Sequence, residues 1–195
     1  DELISYMGIL KAVLGYVDTA HYTYGELFHE INAESGGINC GLQVFNHKEN
    51  NKDCMRMFGV KAKYLTPKED FVFGMIREIL FTSKFDDDKG LYEILAHQKA
   101  RLESSLGEAG HSTAVMRATS YYSPASAFQD RISGIAYFRL LEELEQNFEE
   151  EKEELKKNLK ELMHIIFRKE NLFVSVTVDQ DGYQGLEAQI ARLLP

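Results

Sequence analysis

The side chains with the clearest chemical potential in this chain are His29 and Glu30. A His-Glu pair opens the pattern His-Glu-x-x-His, in which two histidines one helical turn apart grip a zinc ion. The glutamate between them then takes a proton from the metal-bound water. The position that needs the second histidine holds Ala33, so the expectation is an ordinary surface or interhelix pair. A small independent hydrolase using His29, Glu30 and Glu26 is the enzymatic alternative. Glu93 and His97 stand one turn apart and could share a cation, but a hydrogen-bonded or solvent-facing pair needs no further residue. His47, His111 and His164 are assigned no ligand set.

Nucleophilic and phosphate chemistry find no better footing. Ser104-Ser105 and Ser123-Pro124 lack the Gly-x-Ser-x-Gly elbow that exposes a catalytic hydroxyl. Gly36-Gly37 lacks the Gly-Lys-Ser/Thr ending of a phosphate loop and reads as a turn. Asp86-Asp87-Asp88 has neither the alternating oxygen ligands nor the terminal glutamate of a calcium loop. Negative charge before a helix contributes ~0.3–1 kcal/mol, so the triplet reads as a cap. Tyr121-Tyr122 is expected in core or interdomain packing instead of against a ligand. The sequence therefore offers no catalytic, cofactor-binding or metal-binding residue.

The elements that would position these residues follow from periodicity. Leu3, Met7, Leu10, Leu14 and Val17 recur at helical spacing and predict a helix over 2–17. Thr23 with Glu26 forms a capping box for a second helix, which stops at Ser35-Gly36-Gly37. Ile38, Cys40, Leu42 and Val44, then Phe58, Val60, Ala62 and Tyr64, alternate across the polar turn HKENNKD and predict an antiparallel hairpin over 38–65. With the turn near Asn50-Asn51, Cys40 faces roughly position 60 and Cys54 roughly position 46, too far apart to bridge. Both are read as free thiols in a reducing cytoplasm.

A helical region over 67–168 comes next. It opens at Pro67 with Phe71, Met75, Ile79 and Phe81 inward. A helix over 88–107 follows the aspartates, and a break falls at Ser123-Pro124. A strongly periodic stretch then runs from Ile135 to Phe167 with a charged interruption around Lys152. Glutamates ahead of Lys156 and Lys157 suggest a solvated face on a helix pair. A strand over 171–179, with Leu172, Val174, Val176 and Val178 inward, and a terminal helix over 185–194 complete the chain. Helices on one face of an antiparallel sheet make an α+β layer fold.

The length, 195 residues, favours one sizeable core, a single domain over 1–195. A net charge of −9 argues against a nucleic-acid partner, which needs a clustered basic surface. No apolar run approaches the ~18–20 residues that span a bilayer, and no basic leader opens the chain. The expectation is no membrane partner and a cytoplasmic location.

One family gathers these parts. The stretch from His111 to Asp179 reads HSTAVMRATSYYSPASAFQDRISGIAYFRLLEELEQNFEEEKEELKKNLKELMHIIFRKENLFVSVTVD. It closely resembles the presequence-protease (falcilysin-like) branch of the pitrilysin/insulinase zinc peptidases. In that branch a helical block ending in Ser-Pro, a Gln-Asp-x-x-Ser-Gly-Ile turn and a charged helix lead into a strand. DTAHYTYGELFHEINAESGGI, from Asp18 to Ile38, is similar to the opening of the branch's third repeated domain. Family domains carry strands before their first helix, so the resemblance implies a sheet short of its first strands.

The superfamily's catalytic motif is an inverted His-x-x-Glu-His on a helix. By resemblance it should fall on the first helix, where this chain has Ile9, Leu10, Lys11, Ala12 and Val13. Between Leu3 and Gly25 stands a single histidine, His21, and no glutamate. The resemblance thus implies the non-catalytic third domain of a zinc metallopeptidase from a bacterial parent, with zinc in the parent's first domain. It implies a structural wall of a closed peptide-degrading chamber, with sister domains as partners and a peptide as the parent's substrate. The alternative is a stand-alone inactive scaffold or interaction protein of the same fold.

Overall fold

Helical periodicity dominates the observed fold, a computed structural model that describes residues 3–50, 52–175 and 180–193. Helix α1 spans Ile4–Val13 and ends before the Leu14 and Val17 that the spacing assigns to it. Both side chains stay buried, but Gly15 takes a φ of 85°, in the left-handed region that glycine enters without a Cβ clash, and turns the chain there. Helix α2 spans Tyr24–Glu34 and opens with the expected capping box between Thr23 and Glu26. It closes at Ser35, with Gly37 at a φ of 105° beyond it.

Strands β1, Ile38–Asn46, and β2, Cys54–Ala62, form a two-stranded antiparallel sheet. Gly36 N–H donates to Lys63 O at 2.6 Å and Lys63 N–H to Gly37 O at 3.1 Å, while Gly59 lies against the Gly41 carbonyl. That register sets Cys40 opposite position 60 and Cys54 opposite position 46, as the turn position predicts. Both cysteines are free, and burial pushes the Cys40 thiol up to about 11, which leaves it unreactive at neutral pH.

The helical region begins with a 3-10 turn at Thr66–Lys68 and helix α3, Glu69–Thr82. Its buried face carries Val72, Met75, Ile76, Ile79 and Leu80, so Phe71 and Phe81 sit at the margin and not inside. Phe81 instead meets the Phe167 ring edge-on at 6.3 Å. Helix α4 spans Asp88–Glu108, and Asp87 caps it by accepting from Gly90 N–H at 3.1 Å. Helix α5, Gly110–Thr119, and helix α6, Pro124–Ser133, flank the break at Ser123, whose hydroxyl caps α6 ahead of Pro124.

The Ile135–Phe167 stretch divides at Asn147 into α7, Ile135–Gln146, and α8, Phe148–Ile166. Lys152, which the periodicity marks as an interruption, is helical and reaches Asp88 at 2.8 Å, and Lys156 joins it at 2.6 Å. Hydrogen bonds from Lys152 and then Lys156 hold the Asp88 carboxyl below its usual range. One face of α8 is therefore pinned to the start of α4 and is not simply solvated. The pairs of Lys156 with Glu153 and Lys157 with Glu154 are solvated as expected.

The predicted third strand is the main correction. After a 3-10 turn at Lys169–Asn171, residues 172–175 carry no strand, and Leu172 and Val174 are exposed and not inward. Val176, Val178 and the rest of 176–179 lie outside the described residues. Alternation supplies one apolar face, but a strand exists only through the ladder it makes with a neighbour. Helix α9, Gln180–Leu193, starts earlier than the expected 185. The described fold is thus mostly helical and α+β only through its small sheet.

Contacts divide the chain into two compact units. The first joins Asp1–Val13, Gly41–Gly59 and Asp86–Leu162. In it α1, α4, α6 and α7 pack around Ile9, Leu10, Leu91, Leu95, Phe128 and Leu141. The second joins Leu14–Cys40, Val60–Phe85 and Met163–Pro195. There α3 packs between α2 and α9, burying Leu27, Val72, Ile79 and Leu186.

Candidate functional site

The position at which the resemblance would put a zinc motif is filled by core. Ile9, Leu10 and Val13 of α1 are fully buried. Gly8, one residue before, lets the Tyr137 ring and the Ile132 carbonyl approach so closely that an added Cβ would lie 2.8 and 2.9 Å from them. Lys11 is the one polar side chain of the set. Burial, with Arg101 adding to it, lowers the pKa of its ammonium. Apolar groups and one ammonium offer no lone pair to a cation, so these residues do not fit zinc.

Helix α2 carries the His-Glu dipeptide, but its geometry disperses the candidates. His29 and Ala33 are exposed and Glu30 is half-buried. Glu26 is committed to the cap: it accepts from Thr23 N–H at 2.9 Å and from the Thr23 hydroxyl at 2.8 Å. Those two bonds hold its carboxyl below the usual range. A base engaged in both bonds is not free to take a proton from water. Elsewhere Glu93 pairs with Lys89 at 3.7 Å and not with His97, which is exposed. Among the described residues no three His, Cys, Asp or Glu side chains are placed to hold a metal ion.

The structure does bring together one pair that spacing could not reveal. His21 and Glu78 are 57 residues apart, yet the His21 backbone N–H donates to Glu78 Oε1 at 2.9 Å. The His21 ring Nδ1 lies 3.1 and 3.0 Å from the two carboxylate oxygens. Burial alone would raise the Glu78 pKa. Bonds from the His21 ring and backbone, with Thr19 and Thr82, outweigh it and hold the carboxyl down to about 2. The carboxylate thus fastens the segment before α2 onto α3, helped by Ala20 N–H donating to the Thr82 hydroxyl at 3.2 Å.

The Gln-Asp-x-x-Ser-Gly-Ile turn resolves into one task for each of its defining residues. Gln129 Nε2 donates to Ser133 Oγ at 2.7 Å, and that hydroxyl donates to Gln129 O at 3.0 Å. Asp130, buried, accepts from Ile135 N–H at 3.0 Å through Oδ1, which satisfies the start of α7. Its Oδ2 accepts from Arg117 Nη1 at 2.6 Å. Gly134 leaves room for this, because a Cβ there would lie 2.5 Å from Asp130 Oδ1. The motif is a joint between α6 and α7 with Arg117 of α5 as its outer brace. The tyrosine pair beside it is not core: Tyr121 and Tyr122 are 77% and 74% exposed.

A core helix in place of the metal, and a turn whose defining residues are structural, mark a scaffold element. Comparison with known proteins gives it a family. Residues 1–144 match the family model described as peptidase M16, subfamily C, associated. The chain belongs to that family. This member of the peptidase-associated family is 28% identical to protein HypA of Clostridium perfringens over 194 residues, all of this chain and 20% of that protein. It is 26% identical to the mitochondrial presequence protease of Yarrowia lipolytica, covering 92% of this chain and 18% of the relative. Against the mitochondrial presequence protease of Saccharomyces cerevisiae it is 24% identical, covering 99% and 20%. The chain thus spans about a fifth of the length of the curated relatives it matches. The resemblance read from residues 18–38 and 111–179 is confirmed, and the chain is a piece of M16-type peptidase sequence. Among the described residues no helix is long and apolar enough to cross a membrane.

Proposed function

We propose that this peptidase-associated chain is a single, non-catalytic structural domain, the third of its parent, in a zinc metallopeptidase similar to the presequence proteases. It shapes the wall of the chamber in which the parent degrades peptides, and its partners are the parent's other domains. Zinc would sit in the parent's first domain. The observation that carries this reading is α1: the helix on which a zinc motif would lie buries Ile9, Leu10 and Val13 instead. The family match supports the parentage. In the family such a domain is a layer of helices on one face of a sheet, of which the hairpin β1–β2 is the described part. A cytoplasmic location of a bacterial parent is supported by the likeness to HypA, while two relatives are mitochondrial by name.

The test is metal content and peptide cleavage, measured on the purified chain and on the full parent polypeptide. The expected result is no stoichiometric zinc and no cleavage of an unstructured quenched peptide by the chain, against chelator-sensitive cleavage by the parent. Zinc at one per chain with chelator-sensitive cleavage by the chain alone would overturn the reading.

A further inference from the structure

Helix α5 is out of keeping with its neighbours, for none of its ten residues is buried. Isolated helices shorter than ~12–15 residues are marginal in water, and most helical stability in proteins comes from packing an apolar face. Its apolar side chains are nonetheless there: Val115 is 62% exposed, and Met116 lines a groove between α5 and α6. Ser112, Thr119, Ser126 and Gln129 complete that groove with a single histidine. No carboxylate, lysine or arginine lines it, in a chain whose net charge is −9. Just past α5 stand Tyr121 and Tyr122, the former held in place. Arg117 Cζ lies 5.2 Å from the Tyr121 ring centre, and the same guanidinium is fixed by the buried carboxylate of Asp130.

These features describe a surface prepared for contact. Aromatic side chains held before binding, beside a groove with neutral polar rims, are the anatomy of a packed interface centre. The absence of formal charge disfavours a cationic or anionic ligand. The chain accounts for about a fifth of its curated relatives, so most of the polypeptide that could cover this face lies outside it. We propose that α5, the α5–α6 groove and Tyr121-Tyr122 form the seat of an uncharged, largely apolar segment from the rest of the parent polypeptide. This rests on the reading of the chain as one domain of a larger peptidase and names the surface through which it docks. Asp130 then acts at a distance. By bracing Arg117, the Gln-Asp-x-x-Ser-Gly-Ile turn sets the pose of the tyrosine that enters the interface.

The test is hydroxyl-radical footprinting of the full parent polypeptide, with oxidation rates at Tyr121 and Tyr122 compared with those in a free peptide of residues 115–126. Docking predicts rates at least tenfold slower in the protein. Rates within twofold of the free peptide would overturn the proposal. Protection that vanishes on dilution together with an oligomer would assign the seat to a second copy, and protection that appears only when peptide substrate is added would assign it to substrate; either overturns the proposed occupant. Val115→Asp gives an independent readout. On a water-facing surface it leaves the parent's thermal midpoint within about 1–2 °C, whereas a charge inside a packed seat lowers it by roughly 4 °C or more. Peptide cleavage by the same preparation separates the two ideas: an inactive, metal-free parent refutes the peptidase reading, while an active parent with freely oxidised tyrosines refutes only the seat.

Discussion

Helices α1 and α2 are both empty of metal chemistry, for opposite reasons. The first has the position and the wrong residues: buried Ile9, Leu10 and Val13 close against α4, α6 and α7 with no lone pair among them. The second has residues of the right kind in the wrong arrangement, with exposed His29 followed by Ala33 and with Glu26 taken up by its own capping box. The difference teaches that a degenerate site is recognised by what its ground has been turned into. On α1 the ground has become core, where every side chain touches others. On α2 the His-Glu pair remains surface, where a chance dipeptide persists because nothing depends on it.

The comparison can be broken most forcefully at Leu10. Truncating a fully buried leucine costs the transfer of its methyl groups and leaves a cavity, so Leu10→Ala should lower unfolding stability by about 3–4 kcal/mol. Denaturant unfolding measures this, and a loss below about 1 kcal/mol would mean that α1 is not core. Gly8→Ala probes the same helix from the opposite side. Its new methyl group would meet Tyr137 Cε2 at 2.8 Å and the Ile132 carbonyl at 2.9 Å, and backbone cannot move aside as a flexible side chain can. Overpacking of this kind costs about 1–3 kcal/mol. A neutral Gly8→Ala would show that α1 and α6 are not held at the observed separation.

These residues also mark where sequence reading succeeds and stops. The capping box at Thr23, the cap at Asp87, the break before Pro124 and the hairpin register were legible because each is decided by residues within a few positions of one another. So was the absence of a zinc trio from α1. The end of α1 at Val13 was not, because Leu14 and Val17 stay buried and keep the apolar spacing after the backbone has turned at Gly15. The strand expected at 171–179 failed differently. Its alternation is present, but a strand is a relation to a neighbouring strand, and the described sheet contains β1 and β2 alone. The joint of Arg117 with Asp130, and that of His21 with Glu78, join residues whose pairing exists only after folding.

Glu78 sharpens the comparison from the side of α2, since it fastens the segment that enters that helix. Glu78→Gln should destabilise the chain by about 1.5–3 kcal/mol at neutral pH, as expected for hydrogen bonds to a charged group. The sign of the pH dependence follows from the carboxyl being held down to about 2 against an ordinary value of 4.5. A depressed folded-state pKa contributes stability that is complete above the unfolded-state value and disappears as pH falls through the folded-state value. The gap between parent chain and variant should therefore be flat above about pH 5.5, narrow from 4.5 downward and close near 2. A gap that widens on acidification would show that this carboxylate is not the group stabilised by folding.

The smallest expected effect tests the other half of the comparison. If α2 is surface without chemistry, His29→Ala should change unfolding stability by no more than about 0.5 kcal/mol. It should leave any peptide cleavage by the parent polypeptide unaltered, and it should not change the zinc content of the chain. The prediction is sharper than its size suggests, because the reading of His29, Glu30 and Glu26 as a small hydrolytic centre requires the reverse on every count. In that case the histidine would be the first ligand, Glu26 would have to leave the Thr23 cap, and the freed N-terminus of α2 would lose about 1 kcal/mol of capping. A His29→Ala chain that lost bound zinc or cleavage while keeping its stability would establish chemistry on α2. The distinction drawn between the two helices would then fail at its exposed end while holding at its buried one.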